Sequence, residues 1–372
     1  MEGLNEQNKN TNQHLKYWVA YSKISKIGPV NFKKLIDFFT DMKKAWAANH
    51  HELISAGLDE KLVNEIIISR PAINPDAEIE LMAKENVLAV TLIDNNYPTN
   101  LKEIFNPPPI LYYRGSLDFL NNICLAVIGT RKFTSYGKQV TEDIVGQLTK
   151  NNITIISGLA LGIDVIAHKT CLDASGKTMA VLGSGADKQC VYPSSNRYIA
   201  DRILATGGGI VSEYPVGTNP TKYTFPMRNR IVSGLSKAIL VIEAPRSSGS
   251  LITAKYALDQ NRDIFAIPGN IYNHNSEGTN NLIKEGAKLV TNAADILQEL
   301  KIQTVFDDIK CEPKIDTEAE KIVFNLLSRE PFHIDKIKKM STLNINVLLS
   351  TLTMMEIKGL IKDVGGKNYI KN

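Results

Sequence analysis

Apolar residues along this 372-residue chain follow three different patterns. From 14 to 70 they recur at helical spacing, with no strand-like alternation. In SKISKIGPVNFKKLIDFF, the residues Ile24, Ile27, Val30, Phe32, Leu35, Ile36 and Phe39 flank Gly28-Pro29, which predicts helices joined by a tight turn. A second short hairpin is expected around Ala56-Gly57-Leu58. The pattern suits a helix-hairpin-helix unit, whose helix start can hold a phosphate through backbone N–H groups. It suits equally a small helical domain packed on its neighbour.

Between about 122 and 300 the pattern changes to short, continuous apolar runs separated by amphipathic helical stretches. Strands are predicted at 123–128, 153–157, 178–182, 209–212, 238–242 and 263–267. Apolar runs rich in β-branched residues, alternating with helices, imply a parallel sheet covered on both faces. The expected fold is therefore α/β, a Rossmann-like doubly wound sheet, in which ligands bind beyond the carboxyl ends of the strands. After a polar stretch at 301–315, three helices are predicted at 316–329, 332–340 and 344–359. A strand pair turned at Gly365-Gly366 follows, which is the order of a winged helix. The stretch NYPTNLKEIFNPPPILYYRG carries Pro107 to Pro109 in a row and reads as a stiff passage between domains. The organisation expected is a disordered polar tail over 1–13, a helical domain over 14–80 and a connector over 81–121. The Rossmann-like domain over 122–300, a linker over 301–315 and the winged helix over 316–372 complete it.

Composition adds little to this picture. Hydrophobic residues make up 43% and charged residues 22%, and the net charge is +4, so a nucleic-acid partner is permitted and any surface for it has to be local. Cys124, Cys171, Cys190 and Cys311 form no CxxC pair, which points to reduced, buried thiols and to no zinc site. The first residues lack a signal-peptide core and no apolar run approaches the roughly 20 residues that span a bilayer. A cytoplasmic protein without a membrane anchor is expected.

The chemistry lies in the loops after the strands. The first strand runs into AVIGTRKFTSYG, in which Gly129-Thr130-Arg131 is followed by a helix start near Ser135. Backbone N–H groups, a helix N-terminus and a guanidinium suit a phosphate. No GxGxxG fingerprint is present, so no nucleotide cofactor is expected. The second strand ends in IISGLALGIDVIAHK, where Ser157, Gly158 and Gly162 form a tight turn, and Asp164 and His168 stand four apart on one helical face. With no nucleophile and no third metal ligand beside them, that pair reads as structural. In the fourth loop Lys222, Arg228 and Arg230 interleave with Tyr223 and Phe225, the combination of cations and stacking rings that holds a single strand. The fifth opens a helix at Ser247 to Ser250 with Arg246 beside it.

The motifs IGTR, SGLALGIDVIAH, FPMRNRIVSGLS, EAPRSSGSLITA and IFAIPG, in this order, resemble the DNA-processing protein A (DprA/Smf) family, and the resemblance covers nearly the whole chain from about residue 20. It implies an extended Rossmann-like domain that binds single-stranded DNA, forms a homodimer and performs no catalysis. It further implies a role in recombination and DNA uptake, in which the RecA recombinase is loaded onto strands coated by single-strand-binding protein. The implied DNA-binding residues are Gly129, Thr130 and Arg131, Ser157 and Gly158, and Lys222, Phe225, Arg228, Asn229 and Arg230.

Three other readings compete. A Rossmann-like nucleotide phosphoribohydrolase needs a PGGxGTxxE loop, and EAPRSSGSLITA has neither the double glycine nor that glutamate. An NAD-dependent enzyme lacks its glycine fingerprint. A transcriptional regulator built on the winged helix leaves the central loops without a purpose.

Overall fold

A computed structural model describes residues 14–24, 26–302, 315–328 and 330–371. The expected polar tail, Cys311 and nearly all of the expected linker lie outside the described residues. The chain divides into two compact units, one up to Thr304 and one from Val305 onward.

The first unit begins with six helices: α1 (14–22), α2 (Pro29–Phe39), α3 (Met42–Ala47), α4 (His50–Ser55), α5 (Glu60–Ser69) and α6 (Pro75–Lys84). Pro29 opens α2, where its missing N–H costs no hydrogen bond. Gly57 adopts φ +84 at the turn before α5. Trp18, Tyr21, Phe32, Leu35, Leu53 and Ile66 form the core of these helices, and Ile110, Tyr112 and Val216 of the α/β region complete it.

The remaining elements of this unit are β1 (Leu88–Thr91), α7 (Thr99–Lys102), β2 (Ile110–Gly115), β3 (Cys124–Ile128), α8 (Ser135–Lys150), β4 (Thr154–Ser157), α9 (Ile163–Asp173) and β5 (Thr178–Leu182). They continue with α10 (Arg197–Ala205), β6 (Gly209–Ser212), α11 (Thr224–Gly234), β7 (Ala238–Val241), α12 (Gly249–Asp259), β8 (Asp263–Ala266), α13 (Glu277–Lys284), β9 (Lys288–Leu289) and α14 (Ala293–Glu299). The nine strands form one sheet in the order β1-β2-β6-β5-β4-β3-β7-β8-β9. From β6 to β9 all pairs are parallel. Strand residues alternate between the two faces. Leu125, Val127, Ile155 and Leu240 pack on α8, α9 and α14, whereas Ala126, Ile128, Ile156 and Val241 pack on α11 and α12.

The region expected as a connector is part of this sheet. β2 pairs antiparallel with β6 on one side and with β1 on the other, so 88–115 is an antiparallel extension of the α/β core. The three prolines lie just before β2, outside the ladder, where a missing N–H is tolerated. The Pro109 carbonyl accepts the Leu92 N–H at 2.9 Å and the Pro108 carbonyl accepts the Tyr97 hydroxyl at 2.8 Å.

The second unit contains α15 (Glu318–Leu326), β10 (Phe332–His333), α16 (Ile334–Ser341), α17 (Ile345–Ile357), β11 (Ile361–Asp363) and β12 (Asn368–Lys371). Its sheet order is β10-β12-β11, and Gly365 and Gly366 form the wing turn with φ +98 and +64. A capping box between Thr317 and Glu320 starts α15, and Lys358 joins Glu320 at 2.6 Å. This is the winged helix expected from the pattern, with β10 added. Among the described residues no helix is long and apolar enough to cross a membrane.

Candidate nucleic-acid interface

From β3 the chain runs one way across the sheet to β4, and it returns on the other side at β7, so the topological switch point lies between β3 and β7. A cavity of about 920 Å³ opens there, beyond the carboxyl ends of the strands. Arg131, Lys132, Lys222 and Arg228 are the cationic residues lining it, and Asp164 is the acidic one. Its walls come from the loops after β3, β4 and β7, from the segment ending in α11, and from His274 and Asn275.

The β3 loop is held by Glu243, which follows β7. Its backbone carbonyl accepts the Thr130 N–H at 2.7 Å. Its carboxylate accepts the Thr134 N–H at 2.9 Å and the Thr134 hydroxyl at 2.5 Å, just before α8. The start of α8, expected to receive a phosphate, thus already carries a carboxylate of the protein. The loop before α9 lies directly on the β3 loop: Gly162, with φ +86, has no room for a Cβ, which would stand 2.3 Å from the Thr130 carbonyl. Thr130 is buried, while Arg131 projects into solvent.

Arg131 stands over the Phe225 ring at 5.9 Å, and Phe225 meets Tyr192 with ring centroids 5.7 Å apart. Lys222 lies over the Tyr223 ring at 5.0 Å, both side chains exposed. This surface joins cations to stackable aromatic faces. Opposite it, Ser247, Ser248 and Gly249 bring the start of α12 to the cavity, with the Ser248 hydroxyl accepting the Ser250 N–H at 3.2 Å.

Other expected residues sit differently. Arg228 borders the cavity but is only 5% exposed, and its guanidinium donates to the carbonyls of Gly158, at 2.6 Å, and of Val181. Burial, with Arg131 adding to it, pushes its pKa down to about 10, and Asp164 opposes the shift. Gly158 has no Cβ because one would stand 2.4 Å from that guanidinium. Asn229 accepts from Arg228 Nε at 3.3 Å and donates to the Gly249 carbonyl at 3.4 Å, bridging α11 to α12. Ser157 is fully buried, donating to the Val127 carbonyl at 2.6 Å, and does not reach the cavity. Arg230 is on the far side of α11, in a buried ion pair with Glu213. Gly129 and Thr130 line the cavity as expected of their loop. Tyr192, Lys132 and Asn275 line it too, without having been singled out in the sequence. The Tyr192-Pro193 pair after β5 was the available signal for the first of these.

Asp164 and His168 are separately engaged. Asp164 accepts the Gly158 N–H at 3.1 Å, and burial raises its pKa against the opposing effect of Arg228. His168 Nδ1 bonds the Thr178 hydroxyl at 2.7 Å, and that hydroxyl donates to the Ile155 carbonyl. Burial, with Arg228 adding to it, lowers the His168 pKa to about 3, so the ring is neutral. Among the described residues no cluster of His, Cys, Asp or Glu could hold a metal ion.

A family model for DNA recombination-mediator protein A matches residues 88–301, which include β1 and β2, and a model for the DprA winged helix domain matches residues 312–367. Protein Smf of Synechocystis is 36% identical, over 96% of this chain and 99% of its own length. DNA processing protein DprA of Streptococcus pneumoniae is 43% identical over 57% of this chain and 73% of its own. A solved structure of DNA processing protein A from that genus and species superposes with a TM-score of 0.66 at 34% identity, covering 76% of this chain and 97% of the other. The DNA processing protein A of Helicobacter pylori, studied for its single-stranded DNA binding mode, superposes with a TM-score of 0.52 at 32% identity, covering 58% of this chain and 95% of its own. The chain belongs to the DNA recombination-mediator protein A family.

Proposed function

We propose that this protein binds single-stranded DNA in the switch-point cavity and, as a homodimer, loads RecA onto strands coated by single-strand-binding protein, without catalysing a reaction itself. The observation that carries the DNA half is the meeting of Arg131, Lys222, Phe225 and Tyr192 at the mouth of one cavity. Cations there neutralise phosphates, and rings stack bases whatever their identity. The binding mode studied in the Helicobacter relative supports the same reading. Membership of a recombination-mediator family supports the RecA half. A phosphoribohydrolase needs a carboxylate free to act on a glycosidic bond. Asp164, the carboxylate at this cavity, is committed to the Gly158 N–H and faces Arg228.

The test is a titration with single- and double-stranded oligonucleotides at two salt concentrations, followed by RecA filament assembly on strands coated by single-strand-binding protein. Tighter binding to the single strand, with faster filament growth when the protein is present, is expected. Equal affinity for duplex and single strand removes the cavity assignment, and unchanged filament growth removes the loading role.

A further inference from the structure

Beside the main cavity, a second groove of about 670 Å³ runs along the solvent face of α12. The two spaces share Ser247, Ser248 and Ile252, so they are continuous around the start of that helix. Past the shared rim the groove is lined by Arg246, Lys255 and Tyr256, and it ends at Asp259. Positions 248, 252, 255, 256 and 259 follow the i, i+4, i+7, i+8, i+11 spacing of one helical face. Thr253, Ala254 and Ala257 occupy the buried side. Arg246 and Lys255 are exposed, and neither is held in an ion pair among the described residues.

We infer that a DNA strand seated in the switch-point cavity continues over Ser247-Ser248 into this groove, where Arg246 and Lys255 take phosphates and Tyr256 takes a base. The inference rests on the DNA-binding reading of the main cavity. The parts match those of the first site: cations that can follow a backbone, and an aromatic side chain beside them. From Ser248 to Lys255 the helix rises about 10 Å at 1.5 Å per residue. That is the length of about three stacked nucleotides at 3.4 Å each. The carboxylate of Asp259 marks where the favourable potential for phosphate stops.

The experiment uses the full chain and oligo-dT of increasing length, read by fluorescence anisotropy at several salt concentrations. For the parent, affinity should rise once for oligonucleotides that fill the cavity and again for those long enough to enter the groove. In the R246A/K255A variant, binding of the short oligonucleotides should be unchanged and the second rise lost. The slope of log affinity against log salt should become shallower by about 1.4 for long oligonucleotides, the share of two single-strand phosphates. Both substitutions lie on the surface, and matched thermal melts establish that the fold is intact. A second rise that survives the double substitution with an unchanged salt slope overturns the extension and leaves the main cavity standing. Failure of the parent to bind any length removes both readings together.

Discussion

Replacing Arg228 by methionine distinguishes a buried anchor from a DNA contact. In the structure this guanidinium satisfies two buried carbonyls, those of Gly158 and Val181, and faces the Asp164 carboxyl. Each carbonyl left unpaired costs about 1–3 kcal/mol. Removing one member of a buried charged set costs about 3–5 kcal/mol in all, a large share of the roughly 5–15 kcal/mol that holds a domain together. Arg228→Met should therefore lower the unfolding free energy by that amount, read as a fall in the urea midpoint with an unchanged dependence on denaturant. The deficit should also depend on pH. Burial raises the Asp164 pKa in the folded chain above its ordinary 3.8, so its ionisation costs stability as pH rises from there towards the raised value. Without Arg228 the folded value moves higher still, so the deficit is smallest in acid and grows as pH rises. The double substitution R228M/D164N should recover the pH-dependent part. A variant that unfolds with the parent yet binds single-stranded DNA about tenfold more weakly, a loss of about 1.4 kcal/mol, would refute the anchor and make Arg228 a direct contact.

Arg131→Ala should weaken binding to all single-stranded oligonucleotides and flatten the salt slope by about 0.7. Phe225→Ala should instead cost roughly 1–3 kcal/mol of stacking with the slope kept, and identical slopes for Arg131→Ala and the parent would place the phosphate elsewhere. His168 is neutral in the folded chain, so stability should be lost as pH falls from its ordinary 6.5 towards about 3, and acid titration of His168→Gln should show a shallower loss. On α17 the exposed side chains include Ile345, Val347, Leu349, Met354 and Ile357, and the helix contains no Lys or Arg. Residues 315–372 alone should accordingly bind duplex DNA only at the non-specific level, a Kd of about 10⁻⁴–10⁻⁶ M, and tight sequence-selective binding in a duplex titration would contradict this.

The central strands were legible because parallel strands buried on both faces read as unbroken apolar runs. Each predicted run from 123–128 to 263–267 contains an observed strand, displaced by a residue or less at either end. Other strands gave a weaker signal. β9 and β10 are two residues long, below the length at which alternation can register, and β2 follows three prolines that signal a passage between elements. At the site, Arg131 and Lys222 were readable as exposed chemistry in loops after strands, with Phe225 close behind at the start of α11. The division among the arginines was present in the spacing but not in the composition. Phe225, Arg228, Asn229 and Val232 fall at i, i+3, i+4 and i+7 of α11 and all line the cavity. Arg230, two residues after Arg228, is on the opposite face. Tyr192 comes from a distant loop, and only the fold brings it to Phe225.

Two helix starts meet at the switch point, and they are not equivalent. The start of α8 is occupied by the Glu243 carboxylate, which bonds Thr134 and stands where a side chain on Gly137 would have to go, 2.3 Å from its Cβ position. That carboxylate satisfies the terminus and complements its dipole, so an incoming phosphate meets a negative charge there. The start of α12 is capped only by the neutral Ser248 hydroxyl and borders the cavity through Ser247 and Gly249. An anion held by Arg131 would therefore find its open helix terminus across the cavity at α12. Both spaces at the switch point share this helix start, so a polyanion drawn to it arrives at the head of the second groove as well. Glu243 fixes the geometry of the β3 loop, and under the proposed DNA-binding reading this leaves the start of α12, not that of α8, as the helix terminus open to a phosphate.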